Sequence, residues 1–313
     1  MLAEALHHWL TPAPKWVKNM GYVREQVALD FRHRRQHDAW APHLEHCKTL
    51  ICAAAKACLD THHCVVLGSG HLLDIPLDEL AAMFERVDLV DITHPRAVHR
   101  RVSSLVNVQL VTADISGAAQ ALHDLGEAPD PTNAPLPAKL KLSGVCGALA
   151  DGHGNPQANP LNWQPPALPH PMPDKDLIAG AGLVISANLL SQLPLLLVDR
   201  LKDRCPWISA EARSTFARAV VDHHLALLQN HVGQVCLISE VMRMVHDDDR
   251  ANQKIDPLFG AALLYEGEEW WWDIAPRPEL GPDFDVKLRV LGLPDLANAP
   301  QARYCRNTTL AAP

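Results

Sequence analysis

The stretch Cys64-Val65-Val66-Leu67-Gly68-Ser69-Gly70, with Val87-Asp88-Leu89-Val90-Asp91 after it, decides the fold. The first run is wholly apolar and stops at a glycine turn. A run without polar alternation suits a central parallel strand covered on both faces. Residues 76–86 read as a helix with proline near its first turn, and the second run as a strand ending in an acid. The pattern then recurs. Residues 95–102 predict a helix, residues 106–111 a strand ending near Asp114, Gly182-Leu183-Val184-Ile185-Ser186 a fourth strand and residues 234–239 a fifth. Ser209 with Glu211 opens a long helix carrying Phe216, Val220, Leu227 and Leu228. Trp270-Trp271-Trp272-Asp273-Ile274 and residues 284–291 complete the set. Strand and helix in alternation predict an α/β fold: a doubly wound, mostly parallel, seven-stranded Rossmann-like sheet with helices on both faces.

Outward from this core lie two additions. Residues 1–60 read as a helical N-terminal extension. It is rich in His and Arg, with an apolar stripe of Leu44, Cys47, Leu50, Ile51, Ala54 and Ala55, and is expected to pack on the main domain or a second subunit. The remainder, 61–313, is expected to be one domain carrying an insertion at about 129–173. Eleven prolines fall in that segment, which therefore cannot sustain a helix; a segment so long within a domain suggests a lid.

In such sheets ligands bind beyond the carboxyl ends of the strands. Gly68, Ser69 and Gly70 allow a tight turn and close backbone approach. Asp91 lies 23 positions after Gly68, the usual place for an acid on ribose hydroxyls. Asp114 is placed to accept from an adenine amino group. Ser186 and Asn188 leave the fourth strand beside the reaction centre.

These segments together resemble class I S-adenosylmethionine-dependent methyltransferases, from about residue 64 to 291 with the proline-rich insertion set aside. Val65-Val66-Leu67-Gly68-Ser69-Gly70 resembles the first motif, under the methionine part of the cofactor. Leu89-Val90-Asp91 is similar to the acid that holds the ribose, and Val111-Thr112-Ala113-Asp114-Ile115 to the adenine segment. Leu183 through Pro194 resembles the fourth-strand motif, and the last two strands fit the family's reversed final strand. The resemblance implies a methyltransferase that uses S-adenosylmethionine on a small molecule or peptide by in-line transfer. Two positions depart from it. Val66 stands where the family usually has an acid, and Leu72 where it often has a third glycine; His71 and Asp74 are the nearby groups that would supply the missing polar contacts. The departures keep open a non-catalytic binding or scaffold protein of the same fold. A nicotinamide-binding Rossmann oxidoreductase fits less well, because Leu73 occupies the last glycine of GxGxxG.

Beyond the cofactor segments, His246 and Glu240 follow the fifth strand and are the candidate general bases. Arg24, Arg32 and Arg35 suit an anionic substrate, with Trp40 as a candidate pocket wall or helix anchor. His33 with His37 and His43 with His46 have helical spacing that suits a metal. No HExxH or CxxC accompanies them, so no metal is expected. In the three-tryptophan strand, alternation sends Trp270 and Trp272 to one face and Trp271 to the other, and both faces are expected to be covered; the aromatic edge otherwise suits a homodimer. Twenty-eight Lys and Arg against 36 Asp and Glu give a net charge of −8, which argues against nucleic acid. The most apolar stretch, 183–198, is broken by five polar or proline residues, so no membrane span is expected. Eight cysteines without a CxxC pair, and residues 1–10 without signal-peptide character, suggest a reducing cytoplasm.

Overall fold

The structure, a computed structural model, describes residues 11–127, 168–172, 174–247 and 250–302. Of the expected insertion only residues 168–172 fall in that part; the lid reading lies outside the described residues. Three helices come first: α1 (Lys15–Asn19), α2 (Tyr22–Arg35) and α3 (His37–Ala57). Then β1 (His63–Leu67), α4 (Leu77–Met83), β2 (Arg86–Asp91), α5 (Arg96–Val102), β3 (Val108–Thr112) and α6 (Ala119–Glu127) alternate. After a short 3-10 turn at Lys175–Ile178 come β4 (Leu183–Ala187), α7 (Leu195–Arg204), α8 (Ala210–Gln229), β5 (Gln234–Asp247), β6 (Arg250–Ile255), β7 (Glu268–Ala275) and β8 (Phe284–Leu293).

The strand order is β3-β2-β1-β4-β5-β8-β7. Strands β1 to β5 pair in parallel, with Val66 opposite Leu89 and Ile185, and Ser186 opposite Leu237. β8 is antiparallel to both β5 and β7. This is the expected doubly wound, Rossmann-like sheet, with an eighth strand, β6, folded back on β5.

Alternation along the central strands builds the two layers. Cys64, Val66, Ile185, Cys236 and Ile238 face α3 and α4 in one apolar cluster. Val65, Leu67, Val184, Val235 and Leu237 face α8 in another. The apolar stripe of α3 is part of the first cluster, and Trp40 packs edge-on against Trp272 with ring centroids 5.1 Å apart. A third cluster joins α1 and the start of α2 to α6 and α7 through Val17, Met20, Val23, Leu122, Leu197 and Leu201. The N-terminal helices therefore pack on the chain's own sheet layers. Ser209 caps α8, its side chain accepting from Ala212 N at 3.1 Å.

Three expectations need correction. β5 does not stop at Ser239. It continues to Asp247, because Glu240 to Asp247 pairs with β8 and β6 as an antiparallel ribbon, where polar and apolar residues mix freely. Helix α6 and strand β6 lie outside the expected elements, as does helix α7, which opens on the apolar run 195–198. The face of β7 that carries Trp271 is not covered as expected: that ring is 48% exposed, whereas Trp272 is 4% exposed.

One glycine ties the strands' amino-terminal ends together. A Cβ on Gly182 would stand 2.0 Å from the carbonyl oxygen of Asp60. Gly182→Ala is expected to lower the urea midpoint by the equivalent of about 1–3 kcal/mol at an unchanged m-value. An unaltered midpoint would mean that the Asp60 backbone has room to withdraw.

Candidate cofactor and acceptor site

The carboxyl ends of β1, β2, β4 and β5 meet at one rim of the sheet, and the polar residues there are hydrogen-bonded to one another. After β1 the chain turns through Gly68 (φ +72°) and Gly70 (φ +50°). Gly68 N and Ser69 N donate to Val90 O at 2.9 and 3.2 Å, which fastens the loop to β2. A Cβ on Gly68 would come within 2.7 Å of the Leu189 side chain, whereas one on Gly70 would meet nothing nearer than Gly68 O at 3.9 Å. Leu72 holds φ +60°, and its N–H closes a turn onto Ser69 O at 3.0 Å. The left-handed backbone suited to the expected third glycine is thus kept although the residue is leucine.

Asp91 ends β2 beside this loop. Its Oδ2 accepts from Gly70 N at 2.8 Å and its Oδ1 from Thr93 N at 3.4 Å. Burial pushes its carboxyl above the usual range; these N–H bonds and the His94 ring oppose the shift. Helix α2 crosses above. Gln26 Nε2 donates to Thr93 O at 2.8 Å, and the His71 ring bonds Gln26 O at 2.9 Å. Burial, with Asp114 and Asp91 adding, holds the Tyr22 phenol far above its usual range. Ser69 Oγ and Thr93 Oγ1 are buried without a hydrogen-bond partner among the described residues, the condition of groups that a ligand completes.

Asp114 is committed locally. Its Oδ1 accepts from Ser116 N and Oγ at 3.0 and 2.6 Å, and its Oδ2 from Ala119 N at 2.8 Å, so it fixes the turn into α6. Ser186 points away from the rim. Alternation places it on the α8 face with Val184, fully buried, where its Oγ pairs with His224 Nε2 at 3.0 Å. Burial depresses the His224 ring to about 4.

Asn188 and Glu240 do reach the rim. Asn188 holds φ +51°, and its Nδ2 lies 2.7 Å from Asp74 Oδ2, 3.2 Å from His43 Nε2 and 3.7 Å from Cys47 Sγ. Its Oδ1 is buried without a partner among the described residues. Glu240, 2% exposed, accepts a short hydrogen bond from Ser191 Oγ and one from Gln192 Nε2 at 3.4 Å. Burial raises its pKa, and Asp74 adds to the rise. His246 is elsewhere. It stands eight residues past Ile238, the last β5 residue paired with β4, roughly 25 Å along the ribbon. There it is half-buried and bonded to Asn252 Oδ1 at 3.0 Å.

The three candidate substrate residues are not brought together. Arg24 is exposed beside Glu25 and lines a small cavity of about 340 Å³ with Lys18, Arg200 and Asp203. Arg32 and Arg35 both turn to Glu279, at 4.0 and 2.6 Å. Trp40 is 1% exposed and donates to Ile274 O at 3.0 Å; it is a packing residue. The helical histidines are engaged by aromatic rings. His43 stacks on Trp272 with centroids 4.0 Å apart and planes within 2°, and His46 stacks on Trp270 at 4.0 Å. Among the described residues no group of three His, Cys, Asp or Glu is placed to hold a metal. A larger cleft of about 1130 Å³ opens at the opposite end of the strands, near Asp60, Gly182 and Gln234.

Tyr22, His43, Thr93 and Ser191 belong to the rim, and no sequence signal placed them there. Each is brought there by a helix or loop that the strand pattern does not address. Asp74, offered by the sequence with His71 for the missing polar contacts, does reach Asn188.

The chain matches no protein-family model and no curated protein sequence. Among solved structures it is similar to Burkholderia thailandensis 1,6-didemethyltoxoflavin-N1-methyltransferase, bound to 1,6-didemethyltoxoflavin and S-adenosylhomocysteine. Identity is 10% over 90% of each chain, at a TM-score of 0.33. It is also similar to DhpI in complex with S-adenosylhomocysteine, at 14% identity over 85% of this chain and 95% of that one, with a TM-score of 0.29. Neither likeness assigns a role to any residue of this chain.

The Arg35–Glu279 pair makes a pH prediction. The Arg35 guanidinium, with Gln36 and Arg32, holds the Glu279 carboxyl below its usual 4.5. A carboxyl depressed in the folded state stabilises the fold above its unfolded pKa and loses that contribution as pH falls through the folded value. Glu279→Gln should therefore be less stable than the parent at pH 7, and the difference should close in urea titrations taken below pH 4. A difference constant across that range would remove the ion pair as its cause. In strand order, in its reversed β8 and in its glycine turn after β1, the chain has a doubly wound, Rossmann-like α/β fold.

Proposed function

We propose that the protein is an S-adenosylmethionine-dependent methyltransferase acting on a small molecule or peptide. The observation that carries this reading is the loop at residues 68–72. Its three left-handed residues set an open backbone beside Asp91, with the buried hydroxyls of Ser69 and Thr93 still to be satisfied. Such a polar strand-end rim fits a nucleoside with hydroxyl and amino-acid groups. The residues that would hold the cofactor are Gly68, Ser69, Gly70 and Asp91, with Asn188 on the β4 side. S-adenosylmethionine supplies an already activated methyl group, so the chain has to align the reactants and exclude water. Helix α2, tied across the rim through Gln26, provides the exclusion. Glu240 is the buried carboxylate placed to take a proton from an acceptor that carries one. Asp114, Ser186 and His246 have no role in this reading.

One observation favours the second reading, a non-catalytic protein of the same fold. Both Asp91 oxygens already accept backbone N–H bonds, so a ribose must share or displace them. Calorimetric titration with S-adenosylmethionine and S-adenosylhomocysteine separates the two. Binding is expected, and Asp91→Ala should weaken it by about 1–3 kcal/mol. Absence of binding to either compound by the intact protein would leave the non-catalytic reading standing.

A further inference from the structure

Four side chains from four parts of the chain form one hydrogen-bonded line at the acceptor end of the rim. Trp270 Nε1 on β7 lies 3.0 Å from His43 Nδ1 on α3. His43 Nε2 lies 3.2 Å from the terminal amide of Asn188 after β4, and the same amide atom lies 2.7 Å from Asp74 Oδ2 in the loop after β1.

The direction of this line follows from donor chemistry alone. An indole N–H can only donate, so His43 Nδ1 accepts and carries no proton. His43 is 1% exposed, and burial depresses its pKa to about 3. The ring is therefore neutral, with its one proton on Nε2. That N–H needs an acceptor. An amide nitrogen at 3.2 Å cannot serve, and Cys47 Sγ at 3.6 Å is a weak one that leaves two N–H groups facing each other. With the Asn188 amide turned over, its oxygen accepts from His43, and its Nδ2 takes the buried position that has no partner among the described residues. The orientation of such an amide is set by the hydrogen-bond network around it. The amide oxygen then meets the Asp74 oxygen at 2.7 Å, and two oxygens so close share a proton.

We infer that Asp74 holds a proton and donates it to Asn188 Oδ1, as the last member of a relay Trp270 to His43 to Asn188 from Asp74 that fixes the orientation of Asn188. Asp74 is thus a positioning residue. The inference deepens the methyltransferase reading, because Asn188 is among the residues assigned there to the cofactor. The groups that face Asp74 are Cys47 and Lys48 on α3 and Glu240 on β5. Burial favours its neutral form; Lys48 opposes that. Glu240, which accepts from Ser191 and Gln192, is the ionised member of the two carboxyls.

Three measurements on the intact protein test the relay without an acceptor substrate. Nitrogen-15 spectra of histidine-labelled protein should show His43 as the Nε2–H tautomer at pH 7, with Trp270→Phe removing that preference. Infrared difference spectra between the parent and Asp74→Asn should show the C=O band of a protonated carboxyl, lost as pH rises through the Asp74 pKa. Asp74→Asn, whose amide can still donate to Asn188, should keep S-adenosylhomocysteine affinity within about twofold of the parent at its optimum pH and abolish the rise-of-pH dependence. Asp74→Ala should weaken affinity tenfold or more. An Nδ1–H tautomer, or no protonated-carboxyl band from pH 5 to 7, would overturn the relay. Absence of S-adenosylhomocysteine binding with the tautomer and band both present would instead overturn the methyltransferase reading and leave the relay in place.

Discussion

Burial of β1 and β4 on both faces is the constraint from which the rest of the molecule follows. Val65, Leu67 and Val184 lean into α8, while Val66 and Ile185 lean into α3 and α4, all with essentially no solvent contact. Strands so enclosed can present polar groups only at their ends. Backbone and side-chain polar atoms at those ends are still too buried for water to satisfy them freely, so they bond to each other. The pairs Asp91 with Gly70, Asp114 with Ser116 and Ala119, Asn188 with Asp74, and Glu240 with Ser191 are four local solutions to that one problem. Atoms left over from this pairing, on Ser69, Thr93 and Asn188, collect on the rim.

The reversed strand sets where the N-terminal helices attach. Because β8 runs against β5, β7 comes to lie at the sheet edge with Trp270 and Trp272 facing α3. Neutral imidazole is flat, and a buried histidine can stack on an indole while its nitrogens serve as donor and acceptor. His43 does both, stacking on Trp272 and accepting from Trp270, and His46 covers Trp270 from the next turn. The histidines that suggested metal spacing are thus aromatic packing with a polar edge. Their i, i+3 separation matches the reach between alternate side chains of a strand as well as it matches a metal.

What was legible in the sequence was what alternation and apolar runs encode. β1, β2, β4 and β7 stand within a residue or two of where those runs put them, and Ser209 caps α8 as its residue type suggests. Gly68, Gly70 and Asp91 were readable because a turn and a strand end need those residues. Ser186 was misread because the count along the strand, not its chemistry, decides which face it joins; the register with Leu237 sends it to α8. His246 was misread because an antiparallel ribbon carries β5 far beyond the parallel edge, and nothing in Glu240 to His246 announces that continuation. Contacts between distant segments, such as His43 with Asn188 and Arg35 with Glu279, have no local pattern to read.

The departures at Val66 and Leu72 belong together. A carboxyl at position 66 would sit inside a cluster with essentially no exposure, between Leu89 and Ile185, and an unpaired charge there costs several kcal/mol. Such an acid is tolerable only with partners, and this chain has filled the position with an apolar side chain that contributes to the core instead. A carboxyl stands in the loop, at Asp74, where Asn188 is within hydrogen-bond reach. Getting it there requires the loop to turn back on itself, and the turn is made by Leu72 in a left-handed conformation closed onto Ser69 O. Leucine pays for that φ with roughly 1 kcal/mol of strain that glycine would avoid, but its side chain packs against the same cluster that Val66 joins. Val66 in the strand and Leu72 in the turn after it serve one arrangement, in which apolar contact is made twice and the carboxyl stands at the rim.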